Sequence, residues 1–210
     1  MIGRAGVFLF SLLFLLVLVA LGWSRASALT DTDITAPSAI LLEPVSGQVL
    51  YEKNCDEQRP CASITKVMTL LLVMEAIENG QLSLEETLTA SEHAASMGGS
   101  DIWLKPGEEM SVDDLIKSTV IMSANDAAVV LAERVAGSES DFVAKMNRRA
   151  KELGMENTVF KNCNGLDEEG HLTTARDVAL MSAELIKHKK IFDYTCTWID
   201  YVRDGDTQLV

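Results

Sequence analysis

Basic residues are scarce. Eighteen lysines and arginines stand against 31 aspartates and glutamates, so the 210-residue chain carries a formal net charge of -13. So little positive field leaves nothing with which to neutralise a row of phosphates, which excludes nucleic acid as a partner. Histidine is scarcer still, and the cysteines Cys55, Cys61, Cys163 and Cys196 form no Cys-x-x-Cys pair and no Cys/His cluster with zinc-ligand spacing. No metal site and no cofactor is expected. The Gly-x-Ser-x-Gly elbow of an α/β-hydrolase is also missing. His93 and His188 lie on polar stretches and are read as solvated. Four cysteines allow three disulfide pairings, but a chain of this size does not need staples, so free buried thiols are preferred.

What is present begins at the amino terminus. Met1 to Arg4 carry one positive charge, Ala5 to Trp23 are almost unbrokenly apolar, and Ala26-Ser27-Ala28 supplies small residues. That is the pattern of a secretory signal peptide cleaved after Ala28. An uncleaved membrane anchor is the alternative, because the run approaches the ~20 apolar residues that span a bilayer. Residues 1–28 are therefore expected to be a leader and 29–37 a polar linker. The rest is expected outside the cytoplasm, on the cell-envelope side of the membrane.

Ala39 to Glu43 and Gln48 to Glu52 read as strands of a hairpin around Pro44-Val45-Ser46-Gly47. A helix from about Ala62 to Asn79 follows, closing on Gly80 and apolar almost all round, so it belongs in the interior. Residues 82–107 are mixed, with Gly98-Gly99 and Pro106-Gly107 marking loops. Helices are then predicted from Ser111 to Met122, Asn125 to Val135, Phe142 to Leu153 and Thr174 to Lys187. Ile191 to Tyr201 reads as a strand and Asp204-Gly205-Asp206 as a turn. Strands, a block of helices and a late strand make an α+β order with an incomplete antiparallel sheet.

Two constellations carry chemistry. Ser63-Ile64-Thr65-Lys66 opens the buried helix, and the i, i+3 spacing puts a hydroxyl and an amine within mutual reach. A serine is a weak nucleophile until a base takes its proton. A lysine is such a base only when neutral, and desolvation against Val67, Met68 and Leu70 lowers its pKa in that direction. The bland alternative is a helix-terminal serine and a lysine snorkelling to solvent. Ser123-Ala124-Asn125 lies at a junction between two helices, where a hydroxyl and an amide can relay a proton or hold a carbonyl. Helix capping is the bland reading there.

Together, S-x-x-K and S-x-N about sixty residues apart in an exported chain match two of the three elements of class A β-lactamases and penicillin-binding proteins. The chain resembles the low-molecular-mass penicillin-binding proteins that act as D-alanyl-D-alanine carboxypeptidases. The likeness rests on Pro60 to Thr69, on Met122 to Ala128, on Phe160 to Asp167 and on Gly170 to Asp177. The resemblance implies a β-lactamase/transpeptidase-like fold and a peptidoglycan stem peptide ending in D-Ala-D-Ala as substrate. It also implies that β-lactams acylate the same serine. By the same resemblance Ser63 is the nucleophile, Lys66 its base, Ser123 a proton relay and Asn125 a substrate-binding residue, while His171 is structural. The third element, Lys-Thr-Gly, is absent from residues 126–210. Residues 38–210 are therefore expected to be the N-terminal part of the domain, with little or no turnover. The strand carrying that motif, and a C-terminal segment through which many relatives associate with the membrane, would be missing. The alternatives are a non-catalytic peptidoglycan-binding module and a class A β-lactamase.

Overall fold

The hairpin forms where Pro, Ser and Gly interrupt two apolar runs. In a computed structural model of the chain, which describes residues 34–210, β1 (Ala39–Leu42) pairs antiparallel with β2 (Val49–Lys53). The Glu43 carboxylate accepts hydrogen bonds from the amides of Val45 and Ser46 and from the Ser46 hydroxyl, closing the turn locally. The expected leader lies outside the described residues, as does most of the linker.

The apolar helix enters in two stages. A 3-10 turn (Ala62–Thr65) runs into α1 (Lys66–Glu78), in place of one continuous α-helix from Ala62. Met68, Leu71, Leu72, Val73 and Met74 of α1 are essentially without solvent contact, each contributing about 1.5–3 kcal/mol of burial. The segment expected to be mixed contains β4 (Thr87–Thr89), the short α2 (Glu92–Ala95) and β5 (Glu109–Ser111), with β4 and β5 paired.

Four helices pack around α1 or against its partners. α3 (Val112–Ile121) is capped by Ser111, whose Oγ accepts the Asp114 amide at 3.1 Å. α4 (Asn125–Ala136) stops at Gly137, which takes a left-handed φ of 89°. α5 (Glu139–Glu152) begins earlier than predicted, because Ser138 caps it by accepting the Asp141 amide. α6 (Ala175–Leu185) is capped by Thr174 through the Asp177 amide. Arg149 of α5 bridges Glu75 of α1 and Glu184 of α6 at 2.8 and 3.0 Å.

Two expectations are corrected. Ile191 to Tyr201 is not a strand: α7 (Ile191–Thr195) is a short helix, and only β7 (Asp200–Val202) is extended, paired with β8 (Thr207–Leu209). Ile191 and Tyr194, three residues apart, are the buried pair, and the Tyr194 hydroxyl donates to Asp113 at 2.6 Å. The period is thus helical although the composition favours a strand. His188 is not solvated either. Its side chain is 12% exposed, with Nδ1 2.8 Å from a Glu78 carboxylate oxygen.

β3 (Arg59–Pro60) pairs with β6 (Leu172–Thr173), so residues just before Ser63 are tied to the turn that carries His171. With four two-stranded antiparallel sheets among the described residues, the architecture is α+β. Three cysteines are buried free thiols, and Cys196 is an exposed one.

Candidate active site

Pairing of Pro60 with Leu172 fixes the chain two residues short of Ala62. Ala62 then takes φ of 46°, a left-handed conformation that costs a residue with a Cβ about 1–2 kcal/mol. The 3-10 turn that follows nearly superposes positions i and i+3. Ser63 therefore stands directly over Lys66, with Ser63 Oγ 3.4 Å from Lys66 Nζ. Ser63 is exposed, whereas Lys66 is 3% exposed. Burial lowers the Lys66 pKa to about 8, against the opposing pull of the nearby Asp126 carboxylate. Burial also holds the Cys163 thiol well above its ordinary value, so it stays protonated and adds no charge beside Lys66. The snorkelling alternative does not hold.

Lys66 Nζ donates to Asn125 Oδ1 at 2.6 Å and to the Asn164 carbonyl at 2.7 Å. Asn125 is buried, its Nδ2 donates to the Gly98 carbonyl at 2.7 Å, and its amide donates to the Ser100 carbonyl at 2.7 Å. The backbone comes this close because residue 99 is glycine, where a Cβ would lie 3.0 Å from Asn125 Nδ2. Ser123 takes φ of 55° and is half-buried. Its hydroxyl makes no hydrogen bond to Ser63 or Lys66. The N-cap of α4 is Ala124, with no side-chain cap bond, so neither Ser123 nor Asn125 caps the helix. Left-handed φ thus occurs at Ala62, next to Ser63, and at Ser123, two residues before Asn125.

The structure brings Ser63, Lys66 and Asn125 together and adds two residues that sequence reasoning did not single out. Asp126 is 1% exposed and accepts the amides of Ile102, Leu104 and Ala127. It thereby pins the loop whose carbonyls hold Asn125. Asn164 contributes a main-chain oxygen, which no side-chain pattern could announce; the Asn-Gly dipeptide marking a tight turn was the available signal. His171 is buried, Nε2 lies 2.9 Å from Thr65 Oγ1, and its ring meets Phe160 edge-on at 5.9 Å. No group of three or more His, Cys, Asp or Glu side chains among the described residues could hold a metal ion.

The model of the D-alanyl-D-alanine carboxypeptidase family matches residues 25–209. The chain belongs to that family. It is 52% identical over 170 residues to the D-alanyl-D-alanine carboxypeptidase DacF of Bacillus subtilis, covering 81% of this chain and 44% of that protein. Its fold matches penicillin binding protein 5 from Haemophilus influenzae with a TM-score of 0.80 and 29% identity, over 86% of this chain and 53% of that one. Penicillin-Binding Protein D2 from Listeria monocytogenes, solved in an ampicillin-bound form, matches with a TM-score of 0.75 and 34% identity, over 86% and 73% of the two chains. The α+β fold is thus that of the low-molecular-mass penicillin-binding proteins. The chain spans less than half the length of the DacF relative.

Proposed function

We propose that this chain carries the acylating centre of a serine-type D-Ala-D-Ala carboxypeptidase. The observation behind this is a buried lysine with its pKa lowered to about 8, its amine 3.4 Å from an exposed serine hydroxyl. In this reading Lys66 Nζ takes the Ser63 proton as Oγ attacks the carbonyl carbon of the penultimate D-alanine. The peptide bond breaks, and the departing D-alanine amine receives a proton relayed by Ser123. Water then cleaves the ester on Ser63, releasing the shortened stem peptide and restoring the hydroxyl. Asn125 orients the substrate peptide while its side-chain oxygen anchors Lys66. The Ser63 amide, in the first turn of a helix where amides lack intrahelical partners, suits the developing oxyanion.

β-Lactams fit the same centre, since a relative of this fold is solved with ampicillin bound. The lactam amide takes the place of the scissile peptide, and the opened ring stays esterified to Ser63. Fast lactam hydrolysis would need a carboxylate-activated water beside that ester. Asp167, Glu168 and Glu169, the acids of the nearby loop, are all exposed, and none is hydrogen-bonded to Ser63 or Lys66. That favours a carboxypeptidase over a β-lactamase. The amino-terminal pattern supports export, placing the reaction on the cell-envelope side of the membrane.

The test is release of free D-alanine from a peptide ending in D-Ala-D-Ala by the full-length protein, with Ser63→Ala as control. Release lost in Ser63→Ala supports the assignment. A folded protein that releases none, or a variant that still does, rejects it.

A further inference from the structure

Lys66 Nζ has three protein partners, and two of them only accept. The Asn164 carbonyl has no hydrogen to give, and Asn125 presents its oxygen because its Nδ2 is committed to the Gly98 carbonyl. A neutral lysine amine has two N–H bonds and one lone pair. With both hydrogens drawn to these carbonyls, the lone pair faces the third partner, Ser63 Oγ.

We propose that the Asn164–Gly165 peptide is a positioning element that aims the Lys66 lone pair at Ser63, with Gly165 as the residue that makes it possible. The inference rests on the carboxypeptidase reading above. Gly165 has φ of 92°, and a Cβ there would lie 1.9 Å from the Ala62 oxygen, 2.4 Å from the Ala62 carbonyl carbon and 2.9 Å from the Ser63 nitrogen. All three are backbone atoms, so no flexible side-chain end can move aside. One short segment therefore bears on the main chain of the nucleophile and on the amine of its base, and so sets the distance between them.

The segment is itself held. Asn162 Oδ1 accepts the Gly165 amide at 2.7 Å, and Asn164 Oδ1 accepts the Leu166 amide at 3.0 Å. Glu139 accepts the Cys163 amide at 3.0 Å, and Thr69 Oγ1 donates to the Cys163 carbonyl at 2.5 Å. Thr69 lies on α1 three residues after Lys66, so the bond ties the loop to the helix that carries the base.

The experiment measures, in the full-length protein, the acylation rate constant per penicillin-labelled site between pH 6 and pH 10. Ser63→Ala tests the carboxypeptidase reading alone: if it still labels, that reading fails whatever the other variants do. Above the lysine's titration, where the amine is neutral, Gly165→Ala should lower the plateau rate constant about 100-fold, the cost of displacing reacting groups by about 1 Å. Thr69→Val loosens the same segment without a clash and should lower the plateau about threefold to tenfold, a smaller displacement of the same kind. A merely structural defect would reduce the labelled fraction and leave the rate constant per labelled site unchanged. A plateau within about twofold of wild type in Gly165→Ala, or in Thr69→Val should the glycine variant not fold, overturns the proposal.

Discussion

Lys66 Nζ and Asn125 Oδ1 lie 2.6 Å apart, in residues only 3% and 4% exposed. A charged lysine is expensive to keep in such surroundings, and a neutral one is a usable base. Asn125 offers a dipole without a charge, so it orients the amine while leaving burial to set the proton affinity.

Penicillin acylation is therefore expected to follow the free-base fraction of Lys66. With the pKa lowered to about 8, the rate should rise about tenfold per pH unit below the inflection and level off above it. A rate profile from pH 6 to pH 10 checks this. The inflection belongs near pH 8, well below that of an ordinary lysine.

Asn125→Asp keeps the shape and adds a carboxylate 2.6 Å from the amine. An opposite charge at that distance raises a lysine pKa, so the inflection should move up by about 1–3 units. At pH 7 the acylation rate should fall by at least a similar number of powers of ten, and the plateau at high pH should drop too, because the variant loses the Nδ2 donation that fixes the side chain. Thermal unfolding should come at a lower temperature as well, because a carboxylate cannot make the donation to the Gly98 carbonyl that Asn125 Nδ2 makes at 2.7 Å.

How much of this was legible in the sequence depends on which atoms do the work. Ser63 and Lys66 could be read from their spacing because a side chain at i faces one at i+3. Asn125 was singled out only through the combination of S-x-x-K with S-x-N and the resemblance it carries, since its place at a helix junction alone favours capping. The Asn164 carbonyl and the Gly98 and Ser100 carbonyls were not legible, because every residue has a carbonyl and only tertiary structure selects one. The pairing of β3 with β6 was hidden for a similar reason, since two-residue strands 112 positions apart carry no periodicity. Ile191 to Tyr201 misled through its aromatic and β-branched composition, although the buried positions keep a helical interval.

Asp126→Ala should destabilise the fold by about 2–4 kcal/mol, because removing a buried charged acceptor strands the amides it served. Those are the amides of Ile102, Leu104 and Ala127. Urea unfolding of the variant measures the loss. Penicillin labelling should weaken along with it, because the same loop supplies the carbonyls that hold Asn125.

His171 makes stability sensitive to acid. Burial lowers its pKa below the ordinary histidine value of about 6.5, so between the two values the unfolded chain binds more protons than the folded one. Its contribution is fully present above pH 6.5 and is lost as pH falls through the folded pKa. His171→Gln should lower the melting temperature at pH 7.5 and flatten its decline toward pH 5, which a series of melting curves would show.

The most direct measurement of the central claim is the intact mass of the full-length protein after incubation with benzylpenicillin, followed by peptide mapping. The account predicts a gain of one penicillin, located on the peptide that contains Ser63 and absent in Ser63→Ala. A folded protein that gains no mass, or whose adduct maps to another residue, would contradict it.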